Sequence, residues 1–278
     1  MSMNLSADQY RKIRELIYRH MGVAFDDGKR YFLEKRLETR MSALRIERFD
    51  DYLFLLRFPT RGEDELQQFV NEITTNETYM FREFEQLQTF ADDCLPETLM
   101  RKDSANDRNL RIWCAGCSSG EEAYTLAMIL RETVHDLDSW TLELLASDID
   151  ETRLGMASRA VYDRRSVAQV PEAYYDRYIE ERDGKYHIAP SLKRMVRFEN
   201  INLHDRKAMR GQRGFDFVFC RNVLIYFDEV SRRGVVDNFY NAMNSGGFIF
   251  LGHSESVGRF STKFALKRLG RSLVYYKN

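Results

Sequence analysis

The sequence has no long apolar run; its most hydrophobic stretches, such as Phe248-Ile249-Phe250-Leu251, are only of strand length. A spanning helix needs about 20 consecutive apolar residues, so direct membrane insertion is not expected. Net charge is nearly absent, −1 at pH 7, with 42 basic residues interleaved among 43 acidic ones. A nucleic-acid binder more often gathers a basic excess on one face, so no nucleic-acid partner is expected. Only four cysteines occur in 278 residues (Cys94, Cys114, Cys117 and Cys220), which suits a reduced compartment better than a disulfide framework. The start, Met1-Ser2-Met3-Asn4-Leu5-Ser6, lacks the basic and apolar regions of an export signal. A soluble, cytoplasmic protein is the expectation. What is present is ordinary globular composition, 44% hydrophobic and 31% charged, in a length that allows one large or two modest domains. No internal repeat or low-complexity tract interrupts it.

The first part reads as a string of helices. Ser6 and Gln9 form a capping box, and Tyr10, Ile13, Leu16 and Ile17 make an apolar stripe that stops at Gly22. A second helix is predicted from about Lys29 to Arg45, with Leu33, Leu37, Met41 and Leu44 inward. Lys29, Arg36 and Arg40 share its other face. Asp50 and Asp51 open a short helix through Leu56. Another follows Pro59 and Gly62, with Leu66, Phe69, Val70 and Ile73 inward. Pro96 and the polar stretch Arg101 to Asn109 then read as a boundary or linker. Beyond it, strand-like runs (110–114, 142–146, 196–201, 215–219, 247–251, 273–276) alternate with helical patterns such as 123–131 and 228–243. Such alternation predicts a mostly parallel sheet with helices on both faces. One stretch departs from it: Tyr178 to Arg182 and Lys185 to Ile188 flank Asp183-Gly184, a tight-turn signal for a β-hairpin within an insert at about 161–194.

In an open parallel sheet the ligand sits beyond the carboxyl ends of the strands. The first strand runs into Ala115-Gly116-Cys117-Ser118-Ser119-Gly120-Glu121-Glu122 and a helix, where small residues let the backbone approach a ligand and a helix start offers free N–H groups. Glu121 and Glu122 would repel a dinucleotide's phosphates. They suit a cationic ligand, and the amino group and sulfonium of S-adenosylmethionine are both cationic. The bland alternative is an ordinary turn with acids in the first helical turn. The second strand ends in Ala146-Ser147-Asp148-Ile149-Asp150, where Asp148 is assigned to a ribose and Asp150 to a helix cap. Asn202-Leu203 and Asn222-Val223 end two further strands, where an amide can read an adenine edge and an aliphatic neighbour can cover its face. Asn at a strand end is more often turn chemistry, and Tyr226 is by type more often a core residue than a catalytic one. Trp113-Cys114-Ala115-Gly116-Cys117 has the form of a thioredoxin-like redox turn. No proline is placed to face that pair, since Pro171 and Pro190 fall in the insert, and a zinc site would lack further ligands at a suitable spacing.

Thr74-Thr75-Asn76-Glu77-Thr78-Tyr79-Met80-Phe81-Arg82-Glu83 closely resembles the signature of the CheR family, the chemotaxis receptor methyltransferases. The likeness continues at 113–122, 146–150, 219–227 and Gly252-His253-Ser254-Glu255-Ser256, and spans nearly the whole chain in order. The resemblance implies an α/β fold in which an all-α N-terminal domain (1–90) precedes a doubly wound, Rossmann-like class I methyltransferase sheet (91–278) with a small antiparallel β-subdomain inserted. It implies methyl transfer from S-adenosylmethionine to glutamates on chemoreceptor cytoplasmic helices, giving γ-glutamyl methyl esters and S-adenosylhomocysteine, with no metal. By motif position the cofactor contacts are Asn76, Thr78, Arg82, Ala115, Glu121, Asp148, Asn202, Leu203, Asn222 and Val223. Arg82 and Tyr226 are the catalytic candidates, and Lys29, Arg36 and Arg40 are placed to meet Glu-rich receptor helices. Family members that tether to a receptor C-terminal pentapeptide carry a longer, Gly-rich hairpin loop; Arg182-Asp183-Gly184-Lys185 departs from that pattern, so no such tether is expected. A non-catalytic cofactor-binding regulatory module is the alternative of another class, weighed against by intact Arg82, Glu121, Asp148 and Asn222. A small-molecule or RNA methyltransferase is less compatible with the balanced charge and the helical domain. A monomer is the default expectation.

Overall fold

The computed structural model describes residues 3–58, 65–258, 261–270 and 272–278. Five helices come first: α1 (Ala7–Met21), α2 (Arg30–Leu44), α3 (Phe49–Arg57), α4 (Glu65–Ile73) and α5 (Phe84–Thr89), the last running through a π-helical turn, Phe90–Cys94, into α6 (Leu95–Ser104). Then come β1 (Asn109–Ala115), α7 (Glu121–Thr133), β2 (Thr141–Asp148), α8 (Glu151–Arg159), β3 (Val161–Tyr162), α9 (Arg164–Val167), α10 (Glu172–Tyr178), β4 (Ile179–Arg182), β5 (Lys185–Ile188) and α11 (Pro190–Lys193). The chain closes with β6 (Val196–Asn200), α12 (Arg206–Arg210), β7 (Phe215–Cys220), α13 (Glu229–Ala242), β8 (Met243–Leu251), β9 (Phe264–Leu269) and β10 (Ser272–Lys277).

Local chemistry sets the helix ends. Ser6 accepts from the Gln9 N–H while the Gln9 side chain accepts from the Ser6 N–H, the expected capping box, and Gly22 ends α1 in the left-handed region at φ 71°. Tyr10, Ile13, Ile17 and Met21 then pack with Leu33, Leu37 and Met41 of α2 and with Phe69, Val70 and Ile73 of α4. The opening of α4 that was assigned to Pro59 and Gly62 lies outside the described residues.

The main sheet has the order β6-β2-β1-β7-β8-β10-β9. Its first five strands are parallel, and β10 runs antiparallel to both neighbours. From β1 the chain moves outward through β2 to β6 and then returns to β7 on the other side of β1, which makes the β1/β7 junction the switch point. Because side chains alternate across a strand, Ile112 and Cys114 enter one core while Trp113 and Ala115 enter the other. β9 was not anticipated from the sequence. The hairpin was: Asp183 (φ 52°) and Gly184 (φ 69°) join β4 to β5 in a two-residue turn, and β3 completes a small antiparallel sheet.

Two expectations about domain organisation change. Residues 101–104 are not linker but the end of α6, because the polar side chains there are consumed internally. Buried Lys102 contacts Asp107 at 2.8 Å and Asp216 at 3.2 Å. The helical core draws on residues from Leu5 to Ile73, whereas Met80, Phe81, Leu87 and Phe90 pack with the sheet. The expected division at residue 90 therefore falls inside a stretch that packs on the sheet. Phe90 meets Phe217, Phe219 and Phe250 edge-on, at centroid distances of 5.0, 5.1 and 5.9 Å. Phe90→Ala removes that wedge and should destabilise the protein by about 3–5 kcal/mol in a denaturant melt, with no change in the cleft it does not line.

Candidate functional site

A cavity of about 480 Å³ lies beyond the C-terminal ends of β1, β2, β6 and β7, with Met21 to Phe32 of the helical domain on its other side. The two domains are joined there by backbone. The Ala24 N–H donates to Tyr226 O at 3.4 Å, and Val23 bridges to Phe227. Asn76, Thr78, Arg82, Asp148, Asn202, Leu203, Asn222, Val223, Tyr226 and Lys29 all line the cavity. The topology thus brings together most residues assigned from the sequence.

The turn after β1 is built for close approach. Gly116 has φ +83°, and a Cβ there would lie 2.4 Å from Val223 Cγ2. Any larger residue would push Val223 into the cavity. Ser118 is left-handed (φ 48°) and its N–H donates to Asp148 Oδ2 at 2.7 Å. The Asp150 N–H donates to Asp148 Oδ1 at 2.9 Å, so two backbone groups aim this carboxylate. Burial raises its pKa to about 6 despite those bonds. Asp150 caps α8 through the Arg153 N–H, the role expected of it.

Five assigned cofactor residues are placed differently from one another. The Asn76 amide is committed to protein: its Nδ2 donates to Thr74 and Asp150, and its Oδ1 accepts from Ser118 Oγ at 3.0 Å. Asn202 donates to His20 O at 2.6 Å and accepts from the His204 N–H, so it docks the end of α1 as well as lining the cavity. Asn222 is left-handed (φ 60°), and its side-chain amide makes no hydrogen bond among the described residues. Ala115 and Glu121 are not on the cavity wall. Glu121 is buried, accepts from Ser119 and Ser166, and is held above the usual carboxylate range chiefly by burial. Its neighbour Glu122 faces the cavity in its place.

Arg82 lies partly exposed on the cavity wall, donates to Glu77 O at 2.8 Å and sits 5.7 Å from the Tyr79 ring centre. Among the described residues no carboxylate is in ion-pair range of it. Tyr226 is half-buried, in hydrogen-bond contact with Thr75, and burial raises its phenol. The segment that delivers Arg82 is strained: Phe81 and Glu83 both take left-handed φ, 59° and 57°. It is held by the Met80 N–H to Ser166 O and the Phe81 N–H to Thr125 Oγ1.

Arg221 escaped the sequence reading. It is buried, pairs with Glu122 at 2.8 Å and Glu83 at 3.2 Å, and also donates to Arg82 O. An arginine ending an apolar strand signals a buried ion pair, but its partners lie 99 and 138 residues away, beyond any local pattern. The basic face of α2 meets acids of α4. Arg40 makes a two-pronged pair with Glu65, at 2.9 and 2.6 Å, and part-exposed Arg36 lies 3.6 Å from Glu72. Of the three basic residues, Lys29 is the one that lines the cavity, where it is exposed. Cys114 and Cys117 are buried thiols pushed well above their usual range by burial, unlike the activated thiolate of a redox turn.

These features fit S-adenosylmethionine. The glycine cradle, the aimed carboxylate at the end of β2 and the acids Glu122 and Asp148 suit a ligand with a ribose and cationic centres. Asp148 ionises at about pH 6, so it is protonated, and poorer as a double acceptor, below that pH. Calorimetry with S-adenosylhomocysteine should show affinity falling about tenfold per pH unit below 6 and level above it. The unliganded fold should move oppositely. Its Asp148 pKa lies above the ordinary 3.8 of an aspartate, so ionisation opposes folding in full above about pH 6, and that penalty is relieved as the pH falls from 6 towards 3.8.

Comparison with known proteins agrees with this site. Residues 8–74 match the CheR methyltransferase all-alpha domain, and residues 76–271 match the CheR methyltransferase SAM binding domain. The chain is 39% identical over 267 residues to chemotaxis protein methyltransferase 2 of Vibrio cholerae, covering 96% of this chain and 91% of that one. It is 32% identical to the chemotaxis protein methyltransferase of Escherichia coli (95% and 89% covered) and 31% identical to that of Borreliella burgdorferi (92% and 91%). No helix among the described residues is long and apolar enough to cross a membrane. With both of its domains matched in order along nearly its full length, the chain belongs to the CheR family of S-adenosylmethionine-dependent methyltransferases.

Proposed function

We propose that this methyltransferase esterifies glutamate side chains on the cytoplasmic helices of chemoreceptors, forming γ-glutamyl methyl esters. The observation that carries the reading is Arg82, a cavity arginine without an anionic partner among the described residues, beside an Arg221 whose charge is met by Glu122 and Glu83. A glutamate is already ionised at pH 7, so it needs no general base to act as a nucleophile. Positioning is the protein's task. The chemistry supplied by bound S-adenosylmethionine is an electrophilic methyl group, with S-adenosylhomocysteine as the product of its loss. Asn222, Val223, Asp148 and the Gly116 turn would hold that cofactor. The Arg82 guanidinium would receive the incoming carboxylate, and Tyr226, fixed through Thr75 on the same cavity wall, would help to orient it. Once esterified, the product is neutral and loses its attraction to Arg82, which favours release.

The two-residue Asp183-Gly184 turn supports methylation without a receptor C-terminal pentapeptide tether, since no long Gly-rich loop projects from the small sheet. A non-catalytic cofactor-binding module is not favoured, because the matched domains and relatives are methyltransferases along nearly their whole length.

Radiolabelled methyl transfer to chemoreceptor-containing membranes tests the reading. Alkali-labile label on receptor is the expected result; alkali-stable label, or none with cofactor bound, would refute it. Arg82→Ala should lower kcat about 100-fold while leaving the melting temperature unchanged; equal loss of folded protein and activity would remove the catalytic role. Lys29→Glu should raise KM for receptor and weaken its salt dependence, whereas unchanged kinetics would dismiss Lys29 as a docking contact.

A further inference from the structure

Beyond the residues that line the cavity, Glu255 stands out. It follows β8 in a tight turn closed by its own N–H to Gly252 O at 2.9 Å, and its side chain reaches back over the strand ends. Oε2 accepts from the Asn222 N–H at 2.8 Å and the Gly252 N–H at 2.7 Å, and Oε1 accepts from the Ile225 N–H at 3.2 Å. One carboxylate thus ties the ends of β7 and β8, which lie side by side with Cys220 opposite Leu251, to the loop between Asn222 and Tyr226. A Cβ on Gly252 would fall 2.9 Å from both the Asn222 nitrogen and Glu255 Oε2, so only glycine permits the closure.

Asn222 needs this support. It is a non-glycine residue at φ 60°, and its conformation aims an uncommitted amide and the Val223 side chain at the cavity. In the extended or right-handed region the same residues would point elsewhere. Glu255 itself is not on the cavity wall. We propose that Glu255 is a positioning residue for methyl transfer: it locks the Asn222–Tyr226 loop in its left-handed turn, and thereby sets cofactor affinity and the placement of Tyr226. The proposal deepens the methyl-transfer reading and depends on it.

Glu255→Gln keeps the shape but sets an NH₂ group against one of the three backbone donors. Kinetics and calorimetry on the full chain, with S-adenosylhomocysteine as the binding probe, read the consequence. The expected result is a cofactor Kd and KM raised about tenfold and a kcat lowered about 10–100-fold, with receptor KM near wild type and a melting temperature lowered by only about 2–4 °C. A purely structural role would lower the active fraction and leave both KM values alone, and that outcome, like unchanged kinetics, overturns the proposal. Where Glu255→Gln does not fold, Glu255→Asp carries the test, since it keeps the charge and draws the carboxylate back from the same three donors. It should raise the cofactor Kd in the same way, and an unaltered Kd in folded Glu255→Asp rejects the idea. Wild-type protein that binds cofactor yet labels no receptor would instead count against the substrate reading, so the two failures are distinguishable.

Discussion

At the C-terminal edge of the parallel sheet, backbone N–H groups leave the ladder and have no strand to bond to. Buried carboxylates supply the missing acceptors, and the site depends on that. Asp148 takes the Ser118 and Asp150 N–H groups, Asp150 takes that of Arg153, and Glu255 takes those of Asn222, Gly252 and Ile225. An unmade bond at a buried N–H costs about 1–3 kcal/mol, so these loops hold their shape only while the acids are in place. The left-handed turns at Ser118 and Asn222 are kept by the same acceptors. Burial raises the pKa of Asp148 and of Glu255, which is the cost of using charge for this purpose.

The segment from Thr74 to Glu83 converts this edge into a chamber. It leaves the helical core at Ile73, binds Asp150 through Thr74 and Asn76, and turns through left-handed Phe81 and Glu83 to reach Arg221. Its length and strain make sense as a strap across the switch point that presents Arg82. Asn202 and Tyr18 fix the end of α1 on the other side, to His20 O and Asp228, so the helical domain closes the cavity with backbone contacts as well as side chains.

How much of this was legible follows from where each determinant sits. Apolar runs gave the strands to within a few residues, and the Ser6 cap and Asp183-Gly184 turn are short-range chemistry that the sequence states outright. Edge strand β9 was missed because Lys267 and Arg268 break its pattern, as charges on an exposed edge do. Neighbouring helical residues point about 100° apart, and the motif favoured Glu121 where the fold turns Glu122 to the cavity. Helical spacing correctly put Arg36 and Arg40 on one face, yet could not reveal Glu65 and Glu72 on a helix about 30 residues away. Asn76 and Asn202 read as ligand contacts; both line the cavity, and both also bond to protein at the joints of the chamber.

Charge then orders the chamber from inside to outside. Arg221 is paired with Glu122 and Glu83, which together with Asp148 leave the buried end acidic, while partly exposed Arg82 and exposed Lys29, with Asp26 near Lys29, bring basic charge to the outer end. Glu77, which also lies at the outer end, is paired with Arg165 and offsets this little. A cationic cofactor is favoured at the acidic depth, and the proposed carboxylate substrate at the opening that holds Arg82 and Lys29. In the esterification proposed above, the two reactants are thereby sorted by sign before any contact specific to either forms. The same polarity disfavours the reverse arrangement, and the neutral ester of that proposal has no charge for Arg82 to hold.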